Sequence, residues 1–171
     1  MGFAVARSAR TPDDALPRRV RAALLEGRFA RADLQLARRI TRSGWLVPYR
    51  DGEVCLVQLV EPLIRQENGV SLPPAVSTRC LPEPAAHDGR LVEARALAVR
   101  PVPSPRYQVV GVVPDGVSHV ELLFGAHGHE TVTATRNAYE ALARAPRAVR
   151  YVTAGAAAVH SIPIWQSGPQ G

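Results

Sequence analysis

Trp45-Leu-Val-Pro-Tyr-Arg50 and Glu53-Val-Cys-Leu-Val-Gln-Leu-Val60 are β-branched or aromatic runs separated by Asp51-Gly52. Asp-Gly between two such runs is a strong hairpin signal, because both residues tolerate the positive φ that a tight two-strand turn requires. An antiparallel pair is therefore expected here. Working outward, shorter strands are expected over 76–81 and 90–99, and residues 61–74 read as an ordered loop with a helical turn at 62–66.

On the N-terminal side the period changes. Residues 1–12 read as a flexible arm ending in Thr11-Pro12. Leu16, Val20, Ala23 and Leu24 then recur at helical spacing, with Asp13 and Asp14 at the start and Gly27 as a stop. A second helix is expected over 32–41, where Asp33 can cap and Leu36, Ala37 and Ile40 share a face.

On the C-terminal side, 100–106 hold three prolines in seven residues and read as a linker. Beyond it, 107–113, 117–124, 130–135, 147–153 and 157–164 read as strands at short, regular spacing, with turns at 114–116, 125–128 and 154–155. Residues 137–144 fit either a helical turn or a strand. The expected fold is α+β: short basic helices within 1–43, an antiparallel sheet over 44–99 holding both cysteines, a small β-sandwich or barrel-like module over 107–165, and a flexible tail at 166–171.

The 171 residues, 46% of them hydrophobic, are enough for a packed core without metals or many disulfides. All 21 basic residues are arginine and the formal charge is +6. Residues 1–50 hold eleven arginines against four acids, a balance of +7, while 51–171 hold ten against eleven. The all-arginine, Ala/Pro/Val-rich composition is that of a GC-rich coding sequence, which weakens any argument from basicity alone. No apolar run reaches the roughly 18–20 residues of a membrane helix, and the run at 3–6 is too short for an export signal. Read literally, the chain is expected to be soluble and cytoplasmic.

Cys55 lies inside an apolar strand and Cys80 near the end of a later one, so three readings stand open: a disulfide, two buried thiols, or reactive or metal-binding thiols. A bridge would place the protein in the envelope or outside the cell. His127, His129 and Glu130, with His119 on the preceding strand, are the weak metal candidates, and the favoured reading assigns them no metal. Arg18, Arg19, Arg21, Arg28, Arg31, Arg38, Arg39 and Arg42 on two short helices could track phosphates of nucleic acid or an anionic surface, with Arg18, Arg19, Arg21, Arg38 and Arg39 the candidate anion-binding set, although no polar recognition helix accompanies them. Trp45, Tyr49 and Trp165 suit a core better than a ligand groove. No nucleophile elbow, phosphate-binding loop or dinucleotide fingerprint occurs, and the sequence calls for no cofactor.

Gly52-Glu-Val-Cys-Leu-Val57, Cys80, Val109-Val-Gly-Val-Val-Pro-Asp-Gly-Val-Ser-His-Val120 and Thr131-Val-Thr-Ala-Thr-Arg-Asn-Ala-Tyr139 together resemble an uncharacterised group of actinobacterial proteins with no assigned activity. The resemblance implies envelope association behind an N-terminal hydrophobic segment. This chain departs from it in lacking that segment and in having Arg136 where the pattern has Asp. Asn137 and Tyr139 fall within the shared pattern and read as turn and strand-end residues, the tyrosine hydroxyl being expected to reach solvent. The expected function is that of a non-enzymatic structural or interaction module whose partner, a protein or an envelope component, binds at sheet edges or loops. The alternatives are anion binding through the arginine helices and a small metal-dependent enzyme built on the loop at His127–Glu130.

Overall fold

The computed structural model describes residues 3, 7–27, 29–60, 74–97, 106–125, 128–153 and 155–165, with the side chain of Trp165 excepted. The expected helical turn at 62–66, the proline stretch at 100–105 and the tail at 166–171 lie outside them. Three α-helices are described, α1 (Arg18–Glu26), α2 (Arg31–Gln35) and α3 (Glu83–His87). The strands are β1 (Arg38–Arg39), β2 (Gly44–Pro48), β3 (Glu53–Val60), β4 (Ala75–Pro82), β5 (Val92–Ala96), β6 (Tyr107–Val112), β7 (His119–Phe124), β8 (Gly128–Thr133), β9 (Ala138–Ala143), β10 (Ala148–Thr153), β11 (Ala156–Ser161) and β12 (Ile164–Trp165).

They form three four-stranded sheets: a first sheet β1-β2-β3-β4, a middle sheet β12-β5-β6-β9 and an outer sheet β11-β10-β7-β8. The α+β class with antiparallel sheets is as read from the sequence, with one departure, the parallel pairing of β12 with β5. The layers follow from which faces are apolar. Trp45, Val47, Cys55 and Val57 on one face of the first sheet pack on Leu16, Val20, Leu24 and Leu34 of the helical segment. Leu46, Val54 and Leu56 on its other face meet Val110, Val112 and Ala138 of the middle sheet. That sheet's far face, with Tyr107, Val109 and Tyr139, meets Val120, Leu122, Val149 and Tyr151 of the outer sheet. Strands β3 and β6 are covered on both faces and accordingly read as nearly unbroken apolar runs, whereas β10 alternates buried and exposed.

The deciding hairpin forms as read. Asp51 (φ 58°) and Gly52 (φ 75°) occupy the two left-handed positions, and β2 pairs with β3 through Val47 opposite Cys55. Residues 138–143, open between helix and strand, are β9.

Four readings are revised. Helix α2 ends at Gln35, and Arg38 and Arg39 form a strand beside Leu46 and Trp45. A third helix, α3, follows β4. Strand β5 pairs with β6, so 97–106 join two neighbouring strands of one sheet and the C-terminal sandwich takes in a strand from before the prolines. Phe3, within the expected arm, is fully buried and stacked on the His87 ring at 4.2 Å.

The residues of the shared pattern meet one another. Asn137 donates through Nδ2 to the Val113 carbonyl at 3.3 Å and to Asp115 Oδ1 at 2.7 Å, tying the Pro114-Asp-Gly turn to the β8–β9 turn. Tyr139 lies across Gly111, its register partner, and its hydroxyl is buried without a hydrogen-bond partner rather than reaching solvent. Burial drives that phenol well above its ordinary pKa. In the same turn Arg136 (φ 54°) and Asn137 (φ 63°) are both left-handed, a conformation asparagine tolerates and arginine resists. Arg136→Asn is therefore expected to stabilise the fold by about 0.5–1 kcal/mol. A thermal melt showing no gain or a loss would contradict this account of the turn.

Candidate functional site

The contact between the first and middle sheets is apolar at one end and polar at the other. Gln58 on β3 donates to the Gln108 carbonyl at 3.2 Å. Gln108 on β6 donates through Nε2 to Ser43 Oγ (2.6 Å) and to Glu140 Oε1 (3.0 Å). Ser43 gives both its hydroxyl (2.7 Å) and its backbone N–H (3.2 Å) to the Glu140 carboxylate on β9. Ser43 comes this close because Gly44 has no side chain; a Cβ there would stand 2.9 Å from Val110. A second cluster lies nearby, where Arg95 Nη2 (2.5 Å) and Ser77 Oγ (2.5 Å) both reach Glu93 Oε1. The polar end opens as a cleft of about 450 Å³ lined by Ser43, Leu59, Leu97, Gln108, Glu140 and Leu142, with Arg39 and Arg42 beside it.

This arrangement holds its carboxylate ionised and hydrogen-bonded between the two sheets. Burial pushes the Glu140 pKa up, but hydrogen bonds from Gln108 and Ser43 outweigh it and hold the carboxyl below its ordinary value. A carboxylate so stabilised is a weak base toward the Ser43 hydroxyl that it holds. Asp14 behaves alike: burial raises it, while backbone N–H groups of Thr11 (2.7 Å) and Arg39 (2.9 Å) lower it further. Both folded-state pKa values lie below their unfolded ones. Their stabilisation is therefore complete above about pH 4–5 and is lost as pH falls through the folded values. The melting temperature should drop on acidification below about pH 4, and less steeply in Glu140→Gln; an unchanged slope in that variant would contradict the role given to Glu140.

Cys55 and Cys80 are register partners across β3 and β4, with Cα atoms 4.0 Å apart and their sulfurs bonded. His127 lies outside the described residues. His129 and Glu130 are adjacent, exposed residues of β8 opposite Leu123 and Leu122, so their side chains leave opposite faces. The His119 ring sits at 2.9 Å from Ser118 Oγ. Among the described residues, no three His, Cys, Asp or Glu side chains are grouped to share an ion.

The five candidate arginines do not form one surface. Arg38 and Arg39 are on β1, not on a helix, and give their guanidinium N–H groups to the carbonyls of Leu36, Ala37, Thr41 and Arg42. Arg39 also lies over the ring of Trp45, which is buried against the helices. Tyr49 packs on Phe29, and Trp165 is on β12. Arg18 and Arg19 border a shallow depression with Pro17 and Ala22, while Arg21 points to a different cleft of about 500 Å³ with Arg10, Leu25, Arg31, Leu34 and Gln35. Of the arginines lining that cleft, Arg21 and Arg31 were among those the sequence offered for phosphate contacts, and Arg10, from the segment ahead of the helices, was missed.

The remaining feature is an edge. Among the described residues β11 pairs only with β10, and its sequence, Ala156-Ala-Ala-Val-His-Ser161, carries no charge and no proline. On the solvent face of this strand pair stand Val152 of β10 (61% exposed) and Val159 of β11 (57%), with Ala157 opposite Val152 and Arg150 opposite Val159. The opposite edge, β8, carries His129 and Glu130. No helix among the described residues is long and apolar enough to cross a membrane. The chain matches no protein-family model, no curated protein and no solved structure.

Proposed function

We propose that this protein is a non-enzymatic interaction module that takes an extended segment of a partner protein along β11 by strand addition. The observation that carries the reading is the β11 edge, unpaired among the described residues: a row of backbone donors and acceptors in a strand with no acid, arginine or proline, beside the exposed Val152 and Val159. The partner segment has apolar residues at alternate positions, matching the spacing of that face. The Cys55–Cys80 bond favours an oxidising compartment, so the partner is sought among envelope components. The hydrogen-bonded Ser43–Gln108–Glu140 group serves the fold by fixing the relation of two sheets.

Lysine at 157 and 159 should act as a gatekeeper. With Ala157→Lys and Val159→Lys combined, the melting temperature should stay within a few degrees of wild type, since both positions are exposed. A chain that co-purifies with the tagged wild type from native envelope fractions should be lost. Unchanged recovery of that chain with the double variant would sink the proposal.

A further inference from the structure

We propose that the cleft formed by Arg10, Arg21 and Arg31 binds a multiply charged phosphate oxyanion, borne on an organic group that covers Leu25 and Leu34. This site is on the helical layer and does not depend on the β11 reading. Three arginines from three segments line it: Arg10 precedes the 3₁₀ turn Pro12–Asp14, Arg21 lies on α1, and Arg31 is the first residue of α2. The lining contains no acid, and none of the three guanidiniums donates to a described residue.

Of the acids close by in sequence, Asp13 and Glu26 are exposed and do not line the cleft, and two others are committed elsewhere. Asp14 accepts from the N–H groups of Thr11 and Arg39, and Asp33 from the Ala30 N–H at 3.0 Å. Arg7, by contrast, is paired with Asp115 at 2.6 Å, and Arg38 and Arg39 are spent on carbonyls. Three like charges around one cleft favour a multiply charged anion over a neutral occupant. Guanidinium forks match phosphate oxygens in bidentate pairs, which lysine cannot reproduce. Gln35 adds a side-chain amide at the rim, and Leu34, buried, with Leu25, 37% exposed, supplies an apolar wall. A cleft of about 500 Å³ accommodates a phosphate and a small organic group.

The test is calorimetric titration of the full chain with inorganic pyrophosphate at ionic strength held constant with sodium chloride. Wild type should bind saturably and one to one. The double variant Arg21→Ala/Arg31→Ala should bind at least tenfold more weakly, and Arg21→Lys/Arg31→Lys should fall between. Arg10→Ala, outside the helices, should also weaken binding and provides the same readout if a helix variant fails to fold. Cosedimentation with phosphatidylcholine vesicles with and without phosphatidic acid separates the sources. Retention only with phosphatidic acid, lost in the variants, assigns a lipid headgroup; pyrophosphate binding without retention assigns a soluble phosphate ester. No saturable pyrophosphate binding, or equal binding by wild type and all variants, overturns the proposal.

Discussion

Gly111→Ala is expected to lower stability by about 3 kcal/mol or more, the upper range of core overpacking. Gly111, the penultimate residue of β6, is buried, and a Cβ there would fall 2.3 Å from the Tyr139 ring and hydroxyl. That ring is wholly enclosed between the middle and outer sheets, so it has no room to swing aside. The clash is specific to the pair. Gly111→Ala combined with Tyr139→Leu should recover a large part of the loss, a coupling a double-mutant cycle measures directly. Tyr139→Phe alone should be neutral or slightly stabilising, because the hydroxyl is buried without a partner. Additive losses in the cycle would contradict the packing described.

Loss of the Cys55–Cys80 bond is the second large effect. The bond closes a loop across a sequence separation of 25, and in the chain-entropy account its removal costs about 3.5 kcal/mol. Reduction, or Cys55→Ala with Cys80→Ala, should then lower the urea midpoint by on the order of 2 M while leaving the β-sheet circular dichroism intact before the transition. The mechanism requires the two routes to agree, since both release the same loop. A midpoint that does not move on reduction would show that the bond contributes nothing to the native fold.

The parts of the fold that were legible in sequence are those set by neighbours in the chain. Asp51-Gly52 between two apolar runs specifies a turn without help from elsewhere, and so do the turns at Gly116 and Gly155. What was hidden depends on distant partners. Arg38-Arg39 continues a helical pattern, but Leu46 and Trp45 capture it as a strand. Strand β5 reads with the segment before it, yet its hydrogen bonds go to β6, beyond the prolines. The link between Ser43 and Glu140 spans 97 residues, and no local pattern announces it. A signal was present all the same: Gln58, Glu93 and Gln108 are polar residues buried in strands that are otherwise apolar, and all three point into the same contact between sheets. Polar groups in such places are kept because they have partners, so their position was a clue to a polar seam.

The arginine balance was visible in composition, but its arrangement was not. Of the arginines that sequence grouped together, Arg38 and Arg39 hold the β1 segment in shape, and Arg21 and Arg31 join a cleft with Arg10. Composition locates charge along the chain; the packing of the N-terminal segment on α1 and α2 decides which charges converge.

The most direct test of the interaction role is site-specific photo-crosslinking in native cells, with the photoreactive residue at Val159 on β11 and, as a control, at Thr131 on β8. The account predicts a discrete adduct with a different protein from position 159, weakened by Ala157→Lys, and none from position 131. Adducts from neither position, from both equally, or only between copies of this chain would contradict it.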